Sequence, residues 1–351
     1  MSKWIEIDEL EKANQKLDEI NEKITLIHDY FNKALNLEIL TALFDILHKN
    51  YIKLTAHSIQ QNDLIAPHLY DLYFDGVNDY LEAPHFYYNS HFTVSVWFKF
   101  NYQENPTYRI HALVDNGFGV GTDWWLNLDR GSPLYPDKAL IGFGTRGGGG
   151  IINYYYWLNA ETWYHTAVVT NDGIYVNGVK IASGSINIDS ITKGSHPLRV
   201  ARSTYTTSVY YYYFPGAIEH ILIYNRPLSG AEVQQIYNSR VVNASDLWLF
   251  IDPTFFDGTK YIDLSGNGNH AYQYNNPQRI DATNKWMYYI RNMYSDGYIR
   301  FLLPRDSLVV WNSGKITTVE CIEPMFFDGT RYWCLYTTTY KGDSATIYIP
   351  Q

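Results

Sequence analysis

Phe92-Thr93-Val94-Ser95-Val96-Trp97-Phe98 sets an apolar side chain at each even position from 92 to 98. A period of two is the signature of a half-buried β-strand. Thr166-Ala167-Val168-Val169 continues in the same idiom, and turn signals follow it at Asn171-Asp172-Gly173 and Asn177-Gly178. Asp75-Gly76, Asp257-Gly258 and Asp328-Gly329 punctuate the rest of the chain from about residue 69 onward. Asn-Gly and Asp-Gly between β-rich runs predict hairpins. Short strands at regular spacing, without helical interludes, predict an antiparallel sandwich or jelly roll. Only 229–239 reads as a late helix.

Before about residue 65 the period is different. Leu10, Leu17, Ile24 and Phe31 recur every seven residues, and Ala13, Ile20, Ile27 and Ala34 follow each by three. That is an a/d stripe over four heptads, with Glu and Lys filling much of the remainder. A helix of about 30 residues would be roughly 45 Å long. Glu38 breaks the phase, and a second stripe runs Leu40, Phe44, Leu47, Tyr51, Leu54 at helical spacing. Two helices or one bent helix fit equally. Residues 1–65 are therefore read as an α-helical, coiled-coil-like stalk that makes a homo-oligomer through residues 5–54. A helical hairpin packed on its own domain is the bland alternative.

Composition narrows the function. The 351 residues carry 27 basic and 36 acidic side chains, a net charge of −9. Charged residues are 18% of the chain, against roughly 25% in an average globular protein. Aromatics are 17%, and 33 residues are tyrosine. Disordered chains have the opposite balance. An acidic chain without a basic patch is a poor nucleic-acid binder. No apolar run reaches the roughly 18 residues of a membrane span, and Met1-Ser2-Lys3-Trp4-Ile5-Glu6 does not read as a secretory signal peptide. Tyrosines in such number suit either β-strands or interface and sugar platforms.

Five landmarks occur in order: Tyr73-Phe74-Asp75-Gly76-Val77-Asn78-Asp79-Tyr80-Leu81; Phe92-Thr93-Val94-Ser95-Val96-Trp97-Phe98-Lys99; Trp163-Tyr164-His165-Thr166-Ala167-Val168; Asp172-Gly173-Ile174-Tyr175-Val176-Asn177-Gly178; and Gly216-Ala217-Ile218-Glu219-His220-Ile221-Leu222-Ile223-Tyr224-Asn225-Arg226-Pro227-Leu228-Ser229. On these, residues 69–240 resemble a laminin G-like domain of the concanavalin A-like lectin/glucanase superfamily. Glu219-His220 departs from the family pattern, which usually shows Asp-Glu there. The resemblance implies a jelly-roll sandwich over 66–243 with Trp97 and Trp163 in the core and His165 as a satisfied core histidine. Asp246-Leu247-Trp248-Leu249-Phe250 and Asp263-Leu264-Ser265-Gly266-Asn267-Gly268-Asn269-His270 resemble a second opening of the same family. Residues 244–351 are accordingly expected to form a second, smaller, partial β-domain. The fold class expected is mainly β, a jelly roll with an N-terminal α-helical segment.

The site candidates are few. Glu6, Asp8 and Glu11 reproduce the Glu-x-Asp-x-x-Glu spacing of the superfamily's glycosidases, but they open the heptad helix, where an acidic first turn needs no catalytic role. No nucleophile elbow or zinc spacing is present, and no catalytic residue is assigned. Gly147 to Gly150 lacks the Gly-Lys-Ser/Thr of a phosphate loop and reads as a hairpin tip. Tyr154, Tyr155, Tyr156 and Trp157, with Tyr210, Tyr211, Tyr212 and Tyr213, are candidate ligand-binding aromatics, with interface and core as the competing uses. The resemblance also implies calcium as the one cofactor to test, at Asp75, Asp79 and Glu219; calcium wants six to eight oxygens. Cys321 and Cys334 flank the Asp328-Gly329 turn and are a candidate disulfide, with two free thiols as the alternative.

The expectation is a non-enzymatic, lectin-like attachment protein, its heads binding host-surface glycans. A virion surface protein, perched among other virion proteins and similar to those of archaeal viruses, is one setting. An extracellular carbohydrate-binding protein of a cell surface is another, and a glycan-cleaving enzyme is the remaining alternative.

Overall fold

The structure is a computed structural model that describes residues 15–26, 51–101, 110–129, 137–204, 212–319, 324–338, 340, 342 and 344–351, with backbone alone at 119 and 151–155. The chain divides into two compact units, Met1–Ile52 with Pro350–Gln351, and Lys53–Ile349.

In the first unit, residues 15–26 are α-helical. Leu17, Ile20 and Ile24, the a and d positions of the heptad pattern, are 57, 51 and 58% exposed. The remainder of the heptad run and residues 27–50 lie outside the described residues. The second stripe ends differently from its expected helix: Tyr51–His57 is a strand. Leu54 and Ala56 are its buried pair, a spacing of two that the i, i+4, i+7 reading overrode.

In the second unit, Pro215–Tyr224 is the central strand, buried along its whole length. It pairs antiparallel with Thr93–Phe100 on one side and, on the other, with Leu64–Asp75 through its first half and Leu247–Phe256 through its second. Thr93–Phe100 continues to Tyr164–Val169 and then Gly173–Val176. Gly216 permits the close central packing: its φ is +142°, and a Cβ there would lie 2.1 Å from the Lys99 carbonyl oxygen. A second layer runs Tyr80–Ala83, Leu198–Val200, Ile110–Asp115, Trp124–Asp129, Lys138–Thr145. Between the layers lies one apolar core that includes Phe74, Leu81, Val94, Val96, Phe98, Val114, Leu126, Ile141, Val168, Ile218 and Ile221. The predicted sandwich is observed. So is the late helix, Gly230–Ser239, closed at its start by a reciprocal Ser229–Glu232 capping box.

The expected boundary at 243/244 does not separate two compact units. Leu247–Phe256 pairs into the first layer, and Ala271–Tyr274 pairs with Tyr80–Ala83 in the second. Lys260–Asp263 links them. The segment that reads as a second opening thus supplies strands that the sandwich needs, and Leu249, Ile251, Tyr261 and Ala271 share its core. Gln278–Arg291 then pairs along Leu64–Asp75. The chain ends in Ser344–Pro350, which joins Tyr51–His57 and Leu308–Trp311 in a separate four-stranded sheet. Among the described residues no helix is long and apolar enough to cross a membrane.

Trp97 and Trp163 are half-buried and are not part of the core. The alternation that sends Val94, Val96 and Phe98 inward turns Trp97 to the opposite face. His165 is fully buried, as expected, with Nε2 2.8 Å from Ser95 Oγ, but it packs on the Trp97 and Tyr237 side and its Nδ1 has no hydrogen-bond partner among the described residues, so it is only half satisfied.

Candidate functional site

Two irregularities in strand register build a pocket on the outer face of the first layer. Ile218 pairs with Phe98 and His220 with Trp97, so Glu219 is one extra residue on its strand. Such a bulge re-aims side chains. Ile218 and Ile221 both point to the core, and Glu219 and His220 therefore emerge together on the far side. On Gln278–Arg291, Asp281 pairs with Tyr70 and Trp286 with His68. Four residues, 282–285, are looped out opposite Leu69 alone.

Beneath the pocket lies a buried polar network. His68 Nδ1 is 2.7 Å from Asp252 Oδ2, and its Nε2 is 3.1 Å from Asp71 Oδ1. Neutral imidazole has a single N–H, whereas both nitrogens here face carboxylate oxygens, so His68 is an imidazolium donating to both. Burial alone would lower its pKa, but Asp252 and Asp71 outweigh burial and push it up to about 10. Glu219 and Asp71 are both raised above the usual carboxylate range, chiefly by burial. His220 is kept neutral by burial and by the positive charge of Arg240. Its Nδ1 lies 2.7 Å from the Tyr288 oxygen, and the Tyr288 hydroxyl donates to Glu219 Oε1 at 3.0 Å. Among the described residues, neither Asp71 Oδ2 nor Glu219 Oε2 accepts a hydrogen bond.

Arg240 completes the site. It ends the Gly230–Ser239 helix in the left-handed region, φ +54°, and donates from Nη1 to the Tyr237 carbonyl at 2.6 Å. A non-glycine residue held there is a local strain offset by its surroundings. Its guanidinium sits 3.9 Å from the Trp97 ring centroid and 4.2 Å from that of Trp286. Trp286 stacks on His68 at 4.8 Å, and Tyr237 on Trp97 at 5.6 Å. The result is a column of alternating rings and cations. Beside it opens a cavity of about 100 Å³ lined by Asp71, Trp97, Trp163, Glu219, Arg240, Thr283, Asn284 and Trp286. Aromatic walls, two carboxylates with spare oxygens, and a Thr-Asn lip can grip a small polyol or amine.

The residues expected from the sequence fall elsewhere, except Glu219. Tyr156 and Trp157 are exposed, at 40 and 38%. The side chains of Tyr154 and Tyr155, and the whole of Tyr210 and Tyr211, lie outside the described residues. Tyr213 is buried against Tyr80 and Arg202, and Tyr212 packs edge-on to Trp125; Tyr213 is thereby a packing residue and not a ligand platform. Asp75 and Asp79 share one turn, where Asp75 Oδ1 accepts from the backbone of Val77, Asn78 and Asp79. Glu219 does not join them. Pro215 is the residue opposite Asp75, and Glu219 lies four positions further along the strand, roughly 13 Å at 3.3 Å each. Among the described residues no group of three or more His, Cys, Asp or Glu could hold a metal ion. Cys334 is disulfide-bonded, and Cys321 lies outside the described residues. Glu6, Asp8 and Glu11 lie outside them too.

His68, Asp71, Arg240 and Trp286 carry no sequence motif that names them. The one signal is Glu219-His220, where the chain departs from the pattern of the family it resembles.

Residues 75–234 match the family model of the concanavalin A-like lectin/glucanases superfamily, through its laminin G-like branch. This accords with the resemblance read from the five landmarks. No curated protein matches the sequence. Among solved structures, the chain is similar to a Bacteroides ovatus protein proposed to bind carbohydrate, at 16% identity and TM-score 0.48, covering 65% of this chain and 62% of that one. It is also similar to the sialidase CBM40 of Ruminococcus gnavus bound to sialyllactose, at 18% identity and TM-score 0.32, covering 43% of this chain and 84% of that one. Domain 4 of an arabinanase of Geobacillus stearothermophilus, in complex with arabinotriose, aligns at 19% identity and TM-score 0.33, covering 44% and 70%. The match thus spans less than two thirds of the length of the Bacteroides ovatus protein.

Proposed function

We propose that this is a non-enzymatic carbohydrate-binding protein that takes one sugar unit of a surface glycan into the pocket walled by Trp97, Trp163 and Trp286. The supporting observation is the pairing of those rings with Asp71 and Glu219. Rings bury the C–H faces of a sugar, and spare carboxylate oxygens accept from its hydroxyls. The test is a glycan array probed with the full chain. Trp163→Ala abolishes binding if the pocket is the site. Loss instead with Tyr156→Ala and Trp157→Ala moves the site to the exposed aromatics. No binding by the wild-type chain overturns the reading.

The exposed a/d stripe of helix 15–26 supports a second element of the proposal, a homo-oligomer joined through this helix, bearing several heads. Weak single-sugar contacts then add up by effective concentration. Such an oligomer suits attachment from a virion or a cell surface. Finding the chain in purified particles supports the virion setting, and its absence from them overturns that setting alone.

A glycan-cleaving reading also has one observation in its favour, because Asp71 and Glu219 are two carboxyls in one pocket with pKa values raised by burial. Polysaccharide turnover that disappears in Glu219→Gln would establish it in place of simple binding.

A further inference from the structure

The charges around the pocket do not balance. Three carboxyls, Asp71, Asp252 and Glu219, face two fixed cations, the His68 imidazolium and the Arg240 guanidinium. The other ionisable groups packed nearby do not repair this. His165 and His220 are neutral, and the Tyr288 phenol holds its proton. Lys99 is offset by Glu161, 3.9 Å away, and Lys285 by Asp281, 3.7 Å away. Among the described residues the cluster is one positive charge short, and its two carboxyl oxygens without a hydrogen-bond partner there, Asp71 Oδ2 and Glu219 Oε2, both belong to pocket-lining residues.

Resting on the carbohydrate reading, we propose that the sugar taken by this pocket is an amino sugar with a free, protonated amine. An ammonium has three donors and no acceptor, and it supplies the missing charge while donating to both spare carboxylate oxygens. Its hydroxyls meet the Thr283 and Asn284 lip, and its C–H face lies on tryptophan. A neutral sugar leaves the excess charge in place. A sugar acid adds to it. In the free protein a proton relieves the imbalance, in agreement with the upward shifts of Asp71 and Glu219. An amino sugar therefore displaces a proton as it binds.

The experiment is calorimetric titration of the full chain at neutral pH with glucosamine, glucose and ethanolamine. Glucosamine is expected to bind roughly tenfold more tightly than glucose, the return on one charge-assisted hydrogen bond, and ethanolamine more weakly than either. Glu219→Gln is expected to narrow the glucosamine-to-glucose ratio. Equal binding of glucosamine and glucose overturns the amine inference and leaves the carbohydrate reading standing. Ethanolamine binding as tightly as glucosamine, with no binding of glucose, overturns the carbohydrate reading. The wild-type comparison decides between these outcomes even if the variant does not fold.

Discussion

The imidazole Nδ1 of His68 lies 2.7 Å from Asp252 Oδ2, and the two residues, both wholly buried, stand 184 positions apart in the chain. This contact pins the strand that opens the sandwich to a strand from the segment that reads as a separate domain. Removing one partner of a buried pair leaves the other charge uncompensated. Asp252→Asn is expected to cost about 3–5 kcal/mol, read by urea unfolding under tryptophan fluorescence. A cost below about 1 kcal/mol would contradict the pairing.

The same pair sets a pH signature. His68 rises from 6.5 to about 10 on folding, because Asp252 and Asp71 outweigh the opposing effect of burial. A group raised on folding stabilises fully below its unfolded pKa, and that contribution is lost as pH climbs through the folded value. Wild-type stability should therefore fall between pH 7 and 10, and the fall should be shallower in Asp252→Asn. Parallel stability curves for the two proteins would refute this.

Arg240 combines strain with binding, and two substitutions separate them. Arg240→Ala removes the guanidinium from between Trp97 and Trp286 while keeping a Cβ in the left-handed region. Stacked cations contribute about 1–2 kcal/mol each. Arg240→Gly loses the same contacts but relieves the backbone, so it should be more stable than Arg240→Ala by roughly 1 kcal/mol. Thermal unfolding of both variants gives the difference. Identical stabilities would mean that the helix end carries no strain.

Gly216 is the narrowest point of the central strand. Gly216→Ala would bring a Cβ against the Lys99 carbonyl in a conformation that L-residues avoid. A loss of about 2 kcal/mol or more is expected, because backbone on both sides fixes the geometry. Retained stability in denaturant titration would show that the neighbouring strand gives way.

The oligomer reading makes its own prediction. Leu17→Glu with Ile24→Glu places charge on the exposed heptad face and leaves the sequence of the second unit unchanged. Light scattering on the full chain should show the wild type as an oligomer and the double variant as a monomer. Equal masses for the two would remove the helix from the assembly.

What the sequence disclosed follows from distance along the chain. The Phe92–Phe98 alternation and the Ser229–Glu232 cap are local, and both elements stand where expected. Tyr51–His57 reads as the end of a helical stripe and is a strand, because Leu54 and Ala56 are too few to separate a period of two from one of 3.6. Trp97 shows a different limit. Parity sets it opposite Val96 and Phe98, whereas the resemblance implies a core position, and the structure follows parity. The pocket was the least legible part. His68, Glu219, Arg240 and Trp286 come from four separate elements, and two single-strand irregularities aim them at one point. Periodicity carries no trace of a bulge. The Glu219-His220 departure was a visible clue that pointed to the right place without saying what gathers there.

The long loop that His68 and Asp252 close also bears on how the protein is made. The strand opening the sandwich emerges from the ribosome 184 residues before its buried partner. At translation rates of 5–20 residues per second this is roughly 10–40 s. Throughout that interval the half-built sheets present unpaired edges and uncovered aromatic faces, and no stretch of nascent chain shorter than about residue 291 can satisfy them, since Gln278–Arg291 is the strand that pairs along Leu64–Asp75. Yield in a heterologous host should therefore depend on translation speed and on holding chaperones far more than the stability of the finished fold would suggest.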